Sequence, residues 1–124
     1  MPFHYLFSTD LLILKIRGVA TFGDFFRSWK RIMSDRSFQP PIDLLVDLRQ
    51  TQLDLPGHDL DKLICYWRRS PLFKKIAMVV EQDVATYSKC RTICANAEFS
   101  FLSIQVFVDI KEAMAWFREP IAEC

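Results

Sequence analysis

Leu11 to Arg17, Ile42 to Leu48, Lys75 to Val80 and Ile104 to Val108 are apolar runs of strand length, and stretches of helical periodicity lie between them. Phe22, Phe25, Phe26, Trp29, Ile32 and Met33 recur at steps of three and four, as do Leu60, Leu63, Ile64 and Trp67. That spacing gathers apolar side chains on one stripe of a helix, whereas a run of four to eight rich in branched residues suits a buried strand. Single helices between successive strands favour parallel pairing with right-handed crossovers. The first apolar run is preceded by Phe3, Tyr5 and Phe7 alternating with His4, Leu6 and Ser8, and Ser8, Thr9 and Asp10 supply a turn, so the chain opens with a hairpin.

Local punctuation divides the rest. Gly18 closes the second strand, and Thr21 with Asp24 has the spacing of a capping box that opens the first helix. Pro40 and Pro41 break the chain before the central strand, where Leu44, Leu45 and Val46 are bracketed by Asp43 and Asp47. A polar loop is expected from Arg49 to Gly57, and a second helix from about His58 until Ser70 and Pro71. Asp83 is placed to cap a third helix carrying Val84, Tyr87, Cys90, Cys94 and Ala97 inward, and Asp109 with Glu112 repeats the box before a terminal helix. The expected order is β-β-α-β-α-β-α-β-α: an α/β fold with a single mixed, mostly parallel sheet of about five strands and about four helices. All 124 residues fit one domain.

Composition supports a packed core and excludes several functions. Hydrophobic residues make up 51% of the chain and aromatics 14%, so disorder is excluded for most of it. Sixteen basic against fifteen acidic residues leave a formal charge of +1, with no global field toward nucleic acid. No apolar run approaches the ~20 residues of a membrane span. Met1, Pro2, Phe3 and His4 do not begin a secretory signal, so a cytoplasmic protein is expected. Cys90 and Cys94 are one helical turn apart, but His4 and His58 lie far from them, so neither a metal nor another cofactor is expected and the cysteines read as buried apolar residues. There is no G-x-S-x-G elbow or phosphate loop, and only 3 glycines, so catalysis is not expected.

The element order, together with Gly18, Val19 and Ala20 before the first helix, Leu44 to Leu48 on the central strand, and Val106 to Asp109 followed by Glu112 to Trp116, resembles the STAS superfamily over nearly the whole chain. These are small cytoplasmic modules that include anti-sigma-factor antagonists. The resemblance extends to small bacterial proteins described as anti-sigma-factor-antagonist-like or STAS/SEC14-like. In STAS antagonists the central strand leads to an Asp-Ser-Ser-Gly motif whose serine is phosphorylated to release the partner. The matching residues here are Asp54, Leu55, Pro56 and Gly57, and neither middle residue can carry phosphate. The resemblance therefore implies the fold and a docking surface, a non-enzymatic protein-interaction or regulatory module, without that switch.

Two sets of residues are candidates for recognition. Arg49, Asp54, Gly57 and His58 surround the expected start of the second helix, where free N–H groups favour an anion or an acidic patch on a partner protein. The competing reading is structural: Asp54 or Asp59 caps the helix, and Arg49 pairs with Asp47 or Asp54. Phe22, Phe25, Phe26 and Trp29 belong either to the core, to a homodimer face, or to a pocket for an apolar or amphipathic small molecule, as the SEC14 comparison suggests. Arg27, Lys30, Arg31 and Arg36, with Arg68, Arg69, Lys74 and Lys75, form two basic clusters placed as helix C-terminal cations, or for an acidic partner or anionic lipid head groups.

Overall fold

A computed structural model of the chain describes residues 3–8, 10–54, 62, 73–81, 87–88, 90–92 and 103–119, with backbone alone over 52–54. Its elements are β1 (Phe3–Ser8), β2 (Leu11–Thr21), α1 (Phe22–Met33), β3 (Ile42–Asp54), β4 (Phe73–Val79), β5 (Ser103–Phe107) and α2 (Ile110–Arg118). The five strands form one sheet in sequence order. The β1/β2 hairpin is antiparallel and every later pair is parallel. The mixed sheet and opening hairpin are those expected. Two helices are complete among the described residues, against the four or so expected. Helical residues at Lys62 and over 87–88 and 90–92 fall within the stretches where the two middle helices are expected, and the rest of those stretches lies outside the described residues.

Strand periodicity sends alternate side chains to two cores. Leu12, Leu14 and Ile16 on β2, Leu44 and Val46 on β3, and Ile76 and Met78 on β4 meet Phe25, Trp29 and Ile32 of α1. The opposite face carries Leu11, Leu45, Ala77 and Val79 against Ala113 of α2, with Phe107 and Trp116 beside them. Full burial of each large apolar side chain contributes about 1.5–3 kcal/mol. Cys90 is fully buried in the first core, as its apolar character suggests.

The ends of the elements follow from side-chain chemistry. Asp10 takes a left-handed turn (φ 56°), which aspartate tolerates, and its carbonyl accepts from the Asp43 N–H at 3.1 Å, tying the hairpin to β3. Thr21 and Asp24 close the expected box: each side chain accepts from the other's backbone N–H, at 3.3 and 3.1 Å. At α2, Asp109 accepts from the Lys111 N–H at 2.8 Å, while Glu112 makes no return bond among the described residues.

Two boundaries correct the sequence reading. β2 does not close at Gly18 but runs to Thr21, and β3 does not end at Leu48 but continues through Arg49 to Asp54. The reason is mutual: Arg17 to Thr21 pair with Gln50 to Asp54, so the ladder satisfies a backbone whose side chains are too polar to suggest a strand. Pairing of β3 with β4 stops at Asp47 and Val79, which leaves this two-stranded ribbon extending past the rest of the sheet.

Candidate functional site

The ribbon begins at an irregularity. Between the pairs Lys15/Asp47 and Arg17/Gln50, β3 uses one residue more than β2. A bulge of this kind re-aims side chains. Here it accompanies a fork: Arg49 Nε and Nη2 donate to the two carboxylate oxygens of Asp47, each at 2.9 Å, and the Arg49 N–H donates to Oδ1 at 3.1 Å. Asp47 is only 5% exposed. Arg49 is less covered, with 40% of its side chain accessible. A cleft of about 230 Å³ opens beside the pair, lined by Lys15, Ile16, Asp47, Arg49, Gln50 and Glu81.

The electrostatics are those of a held guanidinium. Burial acts to raise the Asp47 carboxyl, but the hydrogen bonds and charge of Arg49, with Lys15 beyond, outweigh it and hold the group below the ordinary carboxylate range. The same bonds, and the Asp47 charge, push Arg49 upward, with Glu81 adding to the effect. Asp47 occupies one edge of the guanidinium and fixes its plane, so docking a further carboxylate or phosphate costs less rotamer freedom than a mobile arginine would lose. Glu81 supplies an opposite charge at the rim, so the cleft presents both signs and suits a polar protein surface.

Of the residues singled out in the sequence, Arg49 lines this cleft, although from a strand and not from a loop. Asp54 ends the same strand opposite Thr21, five positions away, or about 16 Å along the chain, so these two are not brought together. Gly57 and His58 lie outside the described residues. The aromatic set divides. Phe25 and Trp29 are core residues, 4% and 2% exposed, packed on Phe3 and Phe73 with ring centroids 5.4 and 5.3 Å apart. Phe22 and Phe26 stack at 6.3 Å near the surface, where the ammonium groups of Lys62 and Lys30 lie over them. Lys15 and Glu81 were not anticipated as site residues; a lysine inside the aliphatic run of β2 was the available signal.

No family model matches the chain, and no curated protein matches it. Among solved structures it is similar to an uncharacterised protein of the DUF3478 family with a SpoIIAA-like fold from Shewanella loihica PV-4. The two share 23% identity over 92% of this chain and 90% of that one, with a TM-score of 0.61. This chain has a SpoIIAA-like fold. That fold, STAS-like in type, is the one the element order and the Asp47 strand suggested. Among the described residues, no helix is long and apolar enough to cross a membrane.

Proposed function

We propose that this SpoIIAA-like chain is a non-enzymatic, cytoplasmic protein-interaction or regulatory module whose contact surface runs from Arg49 to Trp67. The supporting observation is the β2–β3 ribbon with its bulge. It holds the fixed Arg49 guanidinium at its base, against the last residue paired with β4, and displays the apolar Val19 at 54% exposure. A held cation and an exposed apolar residue on one ribbon combine electrostatic steering with a desolvated contact, the usual ingredients of a protein interface. Leu55 and Pro56 stand where STAS antagonists carry serines, so the contact is regulated without phosphorylation at those positions. The partner is another protein or a second copy of the chain.

A photo-crosslinking residue placed at exposed Gln50, compared with one at exposed Arg36, tests the reading in intact cells. The expected result is a polypeptide adduct from position 50 that weakens in the Arg49→Glu background. Adducts from position 36 alone would contradict it.

A further inference from the structure

The face of the sheet that carries α2 is covered over only part of its width. α2 packs on β4 and β5; on β2 Leu11 is buried beneath the same cluster, whereas Ile13 is only half-buried at its edge. Leu6 is 64% exposed there, paired across the hairpin with half-buried Ile13. Between this strip and α2 runs a groove of about 480 Å³, lined by Ile13, Leu45, Ile110, Met114 and Ala115 together with Lys111 and Arg118.

Width and charge together say what fits. From β1 to β3 is two strand spacings, about 10 Å, the breadth of one helix laid beside α2. Lys111 and Arg118 are exposed and have no ion pair among the described residues, and they stand seven positions apart on α2, about 10 Å along its axis. Asp109, Glu112 and Glu119, the acidic residues in and beside α2, do not line the groove. Among the described residues, its helical wall is therefore apolar with two unpaired cations and no carboxylate in the lining.

We propose that this groove receives an amphipathic helix of a partner protein, seated by its apolar face on half-buried Ile13, Ile110 and Met114, with carboxylates about seven residues apart meeting Lys111 and Arg118. This is the helix-in-groove mode, in which apolar anchors give affinity and flanking charges set orientation. The surface is separate from the Arg49–Trp67 surface and does not rest on that reading.

The test is selection of a displayed library of amphipathic helices, randomised on the flank, against the full chain. Enriched peptides are expected to carry Asp or Glu seven residues apart. Lys111→Glu with Arg118→Glu should weaken them roughly tenfold or more, and exchanging the peptide's acids for lysines should restore binding to that variant. Met114→Asp, or Ala115→Glu at an exposed position, should abolish binding while the thermal transition is retained. The proposal is overturned if no helix is enriched, if enriched helices are neutral or basic on the flank, or if Met114→Asp and Ala115→Glu leave binding unchanged. Concentration-dependent dimerisation abolished by Met114→Asp would assign the groove to a second copy and also overturn it.

Discussion

Lys75, in the middle of the sheet, closes the end of the terminal helix at Trp116. Its ammonium donates to the Trp116 carbonyl at 2.6 Å and to the Glu119 carbonyl, and lies 4.9 Å from the centre of the Trp116 ring. The residue is 4% exposed. The last carbonyls of a helix have no internal partner and carry the negative end of its dipole, so a buried cation both satisfies and neutralises them. Lys75→Met keeps the aliphatic stem and removes the donors. It should cost about 1–3 kcal/mol in urea unfolding, with an unchanged denaturant slope. A loss below about 0.5 kcal/mol would mean that water replaces the ammonium freely.

Two aspartates on β3 should give opposite pH dependences. Asp47 has a carboxyl that burial pushes up but Arg49 and Lys15 pull down further, so its net position is low. Its stabilising contribution is complete above the unfolded value, near pH 4, and is lost as pH falls through the lower folded value. Asp43 is raised, chiefly by burial and also by Asp10, despite Lys74 and Lys75 and a backbone hydrogen bond. Its contribution is complete below the unfolded value and is lost as pH rises through the folded one. Asp47→Asn should therefore lower stability at neutral pH and Asp43→Asn should raise it, and the carboxylate-specific part of both differences should shrink in acid. Denaturation midpoints measured from pH 7 down to about pH 3 check this. Differences of the same sign would contradict the assignment.

Gly18 lies inside β2 with φ at 80°, a conformation that side chains with a Cβ resist. An added Cβ would meet no atom within 4 Å, so the cost of replacing it is backbone strain alone. Gly18→Ala should destabilise by about 1–2 kcal/mol, and Gly18→Asn by less, because asparagine accepts left-handed geometry more readily. Equilibrium unfolding of the two variants gives the comparison. Equal stability of wild type and Gly18→Ala would mean that β2 relaxes at this position.

These positions also show what could be read from the sequence. The hairpin was legible because Phe3, Tyr5 and Phe7 alternate with residues that stay exposed, and the first helix because its capping box and apolar stripe agree. The second half of β3 was not legible: Gln50, Thr51 and Gln52 have no apolar alternation, and they are strand only because Arg17 to Thr21 run beside them. The same pairing hid the site. Arg49 was identified as a recognition residue, and its partner Asp47 was among the two expected. Lys15 reaches the cleft from β2 and Glu81 from just past the end of β4, a juxtaposition set by sheet register, which no local pattern encodes. The aromatic stripe of α1 was ambiguous because core and ligand-facing stripes share one period; packing on Phe3 and Phe73 decided it for Phe25 and Trp29.

Ser28 offers a gain in stability. It is 3% exposed on the inner side of α1, and its hydroxyl has no hydrogen-bond partner among the described residues. Replacing a buried, unsatisfied hydroxyl by a methyl removes a desolvation cost and improves helix propensity. Ser28→Ala should thus stabilise by about 1 kcal/mol. A lower melting temperature for the variant would show that the hydroxyl has a partner after all.

The interaction reading is tested most directly by native mass spectrometry of the protein isolated gently from its own cells, as wild type and as Arg49→Glu. The account predicts a wild-type complex of the chain with a polypeptide, whether another protein or a second copy, and loss of that complex in the variant. A wild-type chain that emerges bare, or with only a small molecule attached, would contradict it.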